Sequence, residues 1–308
     1  MDSLTGFAVI GVVIGVGWLL ARVGVLGVEQ RRLMSNLAFT VASPALLCDL
    51  MATADLARVF APSVLASYGA IAATAALSAL AAVAVFRRSL AEGTVSTLLA
   101  SYSNAGNLGL PVAAYALGDV TWIVPVLIIQ VAVLQPAALA VLDATTAAER
   151  GAKTSGWRLA TLPFRNPLTV GVLVGLGLNA AGVALPAVLG QPLAMVGATA
   201  VPLMLLAFGV SMRVDAKPVS GAEAAESWTL TALKVFVQPA VAYALAVGLG
   251  LDADARRAVA VVACLPPAQN IFVFASRYGV RLAFARDTIF RATAVSAAVV
   301  LAAATVLV

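Results

Sequence analysis

Ten apolar runs follow one another along this chain, near residues 4–24, 33–51, 59–86, 93–118, 121–143, 167–185, 188–212, 228–250, 255–279 and 286–308. Each is close to the roughly 20 residues that carry a helix across a hydrocarbon core. A soluble domain cannot hide that many such runs, because soluble domains are about 25% charged. Here 62% of the 308 residues are hydrophobic and 11% are charged, and the mean hydropathy is +1.02. The chain therefore reads as an all-α polytopic membrane protein. Ten spans leave no room for an ATPase module or a large sensor domain.

The same composition excludes several functions. There is no histidine, hence no histidine-based catalysis and no histidine-ligated metal. The two cysteines, Cys48 and Cys264, lie in apolar runs and form no CxxC. No nucleophile, base or metal set assembles, so neither an enzyme nor a bound cofactor is expected. The net charge of +5 does not point to nucleic acid, because the basic residues sit in short connections rather than in a stripe. Lipid headgroups are the expected partners of that charge. The N-terminus carries Asp2 and no basic leader, so the first run reads as a span and not as a signal peptide.

Charge also orients the chain. With the connections numbered in order, the odd ones hold 14 of the 19 basic residues, among them Arg22, Arg31, Arg32, Arg87, Arg88, Arg150, Arg277 and Arg281. The even ones hold only Arg58, Arg256 and Arg257. Basic residues are retained on the cytoplasmic side, so the odd connections are expected inside and both termini outside. The longest polar connection, 144–166, reads as a cytoplasmic linker between residues 1–143 and 167–308.

Those two halves resemble each other. Gly11, Gly15 and Gly17 recur as Gly171, Gly175 and Gly177. A predicted break at Ser43 and Pro44 recurs at Val201 and Pro202, and Asn107 recurs as Asn270. The three offsets are 160, 158 and 163 residues. Five spans per half is an odd number, so the second half enters the membrane reversed. Inverted repeats of this kind are typical of secondary transporters, with the site at the midplane. The glycine motifs are expected to be helix-packing faces.

The polar chemistry is concentrated in two of the runs. Residues 101–111 read Ser-Tyr-Ser-Asn-Ala-Gly-Asn-Leu-Gly-Leu-Pro, and residues 264–270 read Cys-Leu-Pro-Pro-Ala-Gln-Asn. Irregular backbone survives at membrane depth only where protein or a wet cavity satisfies it. Pro266 and Pro267 remove two amide donors. Spans four and nine are therefore expected to be broken and to cross at their breaks. The alternative is two proline-kinked helices whose Asn side chains satisfy freed carbonyls. In a crossing, inward-facing half-helix N-termini attract anions. Asn and Gln amides add uncharged donors, and neither segment contains an acid. An organic anion is the expected substrate.

Asn104, Asn107, Gly109 and Pro111 resemble the N-x-x-x-x-G-x-P motif of the auxin efflux carrier family, which includes plant auxin carriers and bacterial malonate-transporter-like proteins. Leu265 and Pro266, with Phe272 to Ala275 and Tyr278, resemble its second crossing. Pro44 to Leu47 and Pro202 to Gly209 fit its second and seventh spans. The resemblance covers nearly the whole chain and implies a short, bacterial-type carrier of the cytoplasmic (inner) membrane. It implies a homodimer with spans 1, 2, 6 and 7 as scaffold, and spans 3–5 and 8–10 as an elevator-type transport unit. It also implies that Asn104 and Asn270 bind a substrate carboxylate.

Around them, Asn107, Pro111, Pro266, Pro267, Gln269, Ser43 and Gln130 are the further candidate substrate residues. Gln130 and Gln135, within span five, read either as residues that line the site or equally as interhelical hydrogen bonds. Asp49 is a candidate coupling carboxylate or a helix-end charge. Lys234 is expected to snorkel toward the cytoplasmic boundary. Two other functions compete: sodium-coupled organic-anion symport of the bile-acid-symporter type, and a non-transporting membrane receptor. Whether Na⁺ or H⁺ couples to transport stays open.

Overall fold

The computed structural model describes residues 2–54, 62–109, 112–113, 117–119, 122–149, 166–214 and 218–306. Among them the chain is helical, and the only strand-like contact is an isolated antiparallel bridge between Ser103 and Pro267. The helices are α1 (Asp2–Arg22), α2 (Val28–Thr53), α3 (Pro62–Val85), α4 (Leu90–Ser101), α5 (Pro125–Ala148), α6 (Pro167–Ala180), α7 (Ala187–Val214), α8 (Gly221–Gly248), α9 (Ala253–Ala263), α10 (Asn270–Tyr278) and α11 (Leu282–Val306). Five of them, α2, α3, α5, α7 and α8, are long and apolar enough to cross a membrane. Most of the linker segment, residues 150–165, lies outside the described residues, but its first residues are helical through Glu149.

Helix ends follow local chemistry rather than hydropathy. Ser89 and Glu92 form a reciprocal capping box at the start of α4, earlier than the apolar run begins. Asp252 caps α9 by accepting from the Ala255 amide at 2.8 Å, and Asn166 caps α6 through Leu168 at 3.1 Å. Gly279, at φ +70°, ends α10 in the left-handed conformation that glycine adopts without strain.

The breaks expected at Pro44 and Pro202 are absent. α2 continues through Pro44 and α7 continues through Pro202, with only a turn at Thr199. In α2 the missing proline donor is absorbed one turn earlier by a π-turn, Ala38–Ala42, in which Ser43 N–H donates to Ala38 C=O. Two other prolines behave the same way. A π-turn at Gln130–Leu134 precedes Pro136, and another at Leu233–Val237 precedes Pro239. In each, the amide just before the proline bonds five residues back, so the helix widens instead of breaking.

Packing divides the helices into two groups. α1 lies along α7, and α2 lies along α6 and α7. α3 lies along α4 and α8, while α8 packs on α9 and α11. In the first group glycines bring backbones together. A Cβ on Gly209 meets the Ile14 carbonyl, and one on Gly171 meets the Pro44 carbonyl. Gly17 meets Leu206, and Gly175 meets Cys48 in the same manner. Gly11, Gly15 and Gly177 have open space around them, so only part of each glycine motif is a packing face. The second group is fastened by an ion cluster. Buried Glu226 of α8 accepts from Arg281 at 2.6 Å, Arg88 at 2.9 Å and the Ser96 hydroxyl at 2.8 Å.

Gly209→Val and Gly171→Val are therefore expected to force the helix pairs apart. Overpacking of this kind typically costs about 1–3 kcal/mol. Gly11→Val is expected to leave stability unchanged. Thermal denaturation of the detergent-purified protein checks both, and equal midpoints for all three variants contradict the assignment.

Candidate functional site

The site is built on two interruptions that satisfy each other. α4 stops at Ser101, and Tyr102 turns to extended backbone at φ −91°, ψ 103°. α9 stops at Ala263, ahead of Pro266 and Pro267. The two extended pieces lie antiparallel. Asn104 N–H donates to Pro266 C=O at 2.8 Å, and Ala268 N–H donates to Tyr102 C=O at 3.1 Å. Pro266 and Pro267 have no amide donors to lose, which suits them to this pairing. Gln130 of α5 completes the first interruption: its amide accepts from Ser103 N–H and donates to Ser103 C=O at 3.2 Å. On the other side the Ser296 hydroxyl of α11 donates to Cys264 C=O, and Lys234 of α8 donates to Ala263 C=O at 3.0 Å. Every one of these partners replaces water that does not reach the buried segments.

A cavity of about 250 Å³ opens beside the pairing. Its polar wall is Ser43, Tyr102, Ser103, Asn104, Gln135, Gln269 and Asn270. Leu46, Leu47, Leu50, Leu127, Val131, Leu168, Val201, Met204 and Phe274 make most of the rest. Among the described residues no charged side chain lines it.

Within the wall the side chains form two short chains of hydrogen bonds. Asn104 Nδ2 donates to Gln269 Oε1 at 2.7 Å. Tyr102 donates to Gln135 Oε1 at 3.1 Å, and Asn270 Nδ2 lies 3.4 Å from both Tyr102 Oη and Gln135 Oε1. Three buried atoms are left without partners: Gln135 Nε2, Gln269 Nε2 and Asn270 Oδ1. α10 also begins at this wall. Gln269 stands at its N-cap without a side-chain cap bond. The cavity thus combines two unmatched N–H donors with the positive end of a helix dipole.

Next to the lining residues Leu168 and Phe274, side chains from several helices meet. The Tyr278 hydroxyl donates to Asp143 at 2.8 Å, and Asn166 donates to Tyr278 at 3.0 Å. Phe39 of α2 stands edge-on to Phe274 and Tyr278, with ring centroids 6.2 Å apart in each pair.

The sequence candidates divide accordingly. Ser43, Asn104, Gln269 and Asn270 line the cavity. Gln130, Pro266 and Pro267 hold the paired backbone and do not line it. Asp49 is half-buried and absent from the lining, with Leu50 facing the cavity instead. The backbone of Asn107 lies in a π-turn, Ala105–Gly109, and Pro111 lies outside the described residues. Tyr102 and Gln135 belong to the wall although neither stood among the leading candidates. Their signal was position, since Tyr102 sits inside the first interruption and Gln135 immediately precedes Pro136. Lys234 does not snorkel; it is fully buried. Among the described residues no cluster fit for a metal ion is present.

Apolar helices of membrane length around a buried, donor-lined cavity are what a membrane transporter requires. The comparisons agree. The family model described as "Membrane transport protein" matches residues 4–155 and 157–303. The chain belongs to that family, the auxin efflux carrier family, and is a multi-pass membrane protein. It is 27% identical over 290 residues to a Rhizobium meliloti (strain 1021) protein named "Putative malonate transporter", covering 92% of this chain and 89% of that one.

Gln130→Leu is expected to unfold the first interruption locally. It leaves Ser103 N–H and C=O unpaired, and each buried orphan costs about 1–3 kcal/mol. The variant should lose thermal stability and show faster amide hydrogen exchange at residues 102–105. Wild-type protection there contradicts the role.

Proposed function

We propose that this chain is a secondary carrier of small organic carboxylates. The observation that carries the reading is the pair of buried amide donors without partners, Gln135 Nε2 and Gln269 Nε2, on the wall of a cavity with no acid among the described residues that line it. A buried unpaired donor is costly, and a carboxylate oxygen removes that cost. The uncapped start of α10 favours the same negative charge. A cavity of about 250 Å³ suits an acid of few carbons. The name of the Rhizobium meliloti relative makes malonate the first compound to test.

Two inverted five-span halves, 1–143 and 167–308 with 144–166 between them, account for the reversed entry of the second half. In this reading α9 and α10 together make the ninth span and α11 the tenth. α1, α2, α6 and α7 are the scaffold, fixed by glycine contacts. α3–α5 and α8–α11 are the moving unit, tied by the Glu226 cluster. The carboxylate rides at the paired interruptions between them. A homodimer in the inner membrane, with both termini outside, completes the picture.

The test is uptake of radiolabelled malonate and small monocarboxylates into proteoliposomes. Asn104→Asp is expected to abolish uptake by placing a negative charge beside the carboxylate. Asn104→Ala removes a hydrogen bond to a charged group, about 1.5–3 kcal/mol, and should weaken binding roughly 10- to 150-fold. Parental rates in both variants contradict the site.

A second prediction concerns the driving force. Asp49 lies off the cavity, so the carrier is expected to be a facilitator that needs no protonating carboxylate. A membrane potential acts on the anion with about 2.3 kcal/mol per charge per 100 mV. Uptake should follow an imposed potential, ignore a pH gradient at fixed substrate ionisation, and persist in Asp49→Asn. Stimulation by a pH gradient that disappears in Asp49→Asn installs Asp49 as the proton carrier.

A further inference from the structure

α8 buries a lysine deep in the molecule without a counter-charge. Lys234 is 0% exposed and lies midway along a helix of 28 residues that is apolar enough to span a membrane. Its Nζ donates to Gln238 Oε1 at 2.5 Å and to Ala263 C=O at 3.0 Å. Among the described residues it has no ion-pair partner. The acids of its own helix, Glu223 and Glu226, stand two or more turns away and are engaged by Arg88 and Arg281. On α9, Asp254, Arg256 and Arg257 lie at the end opposite Ala263. α3 contributes no charged side chain along Pro62–Leu80. The neighbouring ionisable group is Cys264.

Taking an ammonium out of water is costly unless something repays it. The groups that repay it here are oxygens of a particular kind. Ala263 is the last residue of α9, where carbonyls lack intrahelical donors and the helix dipole is negative. Gln238 adds an amide oxygen. Helix-end carbonyls at an interrupted membrane helix are a donor set that transporters use to hold monovalent cations. A void of about 10 Å³, lined by Ser67, Ser103, Gln238 and Ala263 among others, lies alongside and reaches the first interruption. Ser103 borders both this void and the substrate cavity. The ammonium thus stands behind the paired interruptions, with the cavity in front of them.

We propose that Lys234 is a tethered cation: its ammonium permanently fills an oxygen site, made by the Ala263 carbonyl and Gln238 Oε1, that accepts a dissolved monovalent cation once the lysine is removed. The consequence deepens the carrier reading and rests on it. An anion in the cavity finds its counter-charge supplied by the protein, and its binding needs no sodium.

The experiment measures thermal unfolding of the purified full chain without any organic anion, so it stands whether or not malonate is bound. For the unaltered protein, exchanging choline chloride for sodium chloride at equal ionic strength is expected to leave the midpoint in place. A sodium-specific rise overturns the proposal. Lys234→Ala is expected to unfold several degrees lower in choline and to regain stability as methylammonium or sodium is added, following mass action. A lowered midpoint that no cation restores overturns it, and so does an unchanged midpoint. Lys234→Met keeps the length of the stem and removes the charge. It is expected to be less stable and indifferent to added cation, because the thioether occupies the space. Full stability of Lys234→Met in choline shows that the charge is not needed and overturns the assignment, even if Lys234→Ala cannot be purified folded.

Discussion

Backbone amides and carbonyls buried inside a protein have no water to turn to, and this protein buries two interrupted helices. Everything around the site answers that constraint. The extended residues after α4 and after α9 pair with each other through Asn104, Pro266, Tyr102 and Ala268. That pairing satisfies only one edge of each piece. The other edges are met by side chains from helices that are themselves continuous: Gln130 from α5, Lys234 from α8 and Ser296 from α11. A local irregularity in two helices therefore fixes the position and rotation of three more. The cavity wall inherits its order from that arrangement, because Tyr102, Asn104, Gln269 and Asn270 all sit within or next to the paired segment.

Proline has two different effects in this chain, and the contrast is physical. Pro266 and Pro267 are adjacent, so two successive donors are missing and the segment leaves helical geometry for a partner. Pro44, Pro136 and Pro239 are single, and each helix runs on through them by widening one turn earlier. The widened turns are not idle. Gln130 opens one of them and Lys234 lies in another, so two of the three side chains that hold the interruptions come from π-turns. A π-turn adds a residue to the helical turn and shifts the side chains that follow it. Here it presents long polar side chains to a neighbouring backbone at the depth where that backbone needs them.

Part of this is legible in the residues. The apolar runs, the polar stretch 101–111 and the pair Pro266 and Pro267 mark a helical chain with irregular segments, and the family resemblance singles out Asn104 and Asn270, which line the cavity together with Gln269 and Ser43. What escaped the sequence has identifiable causes. Hydropathy reports what faces lipid, so it placed the start of α8 near residue 228, whereas helix runs from Gly221 through buried, paired Glu226. A lone proline reads the same whether the helix breaks or widens, and only neighbouring backbone decides between them. Gln130 and Gln135 are five residues apart on one helix and look equivalent, yet Gln130 supports backbone while Gln135 lines the cavity. Lys234 looked like a boundary residue because its length permits snorkelling. The acceptors that keep it inside come from a residue four positions later and from the end of a different helix.

The division of labour between amides and charge follows from what a carrier must do. In a low-dielectric site a full charge facing a carboxylate binds it strongly, and release then becomes the slow step. The cavity offers dipoles instead: amide N–H groups from Asn104, Gln135, Gln269 and Asn270, and the start of α10. Such donors discriminate by geometry and sign while keeping each interaction modest. The positive charge that the region does contain is set one layer back, on Lys234, with the paired backbone between it and the cavity lining. In the proposed carrier it favours an anion from there without gripping it. The same placement explains why the cavity wall needs no acid, since the tethered ammonium already has its oxygens.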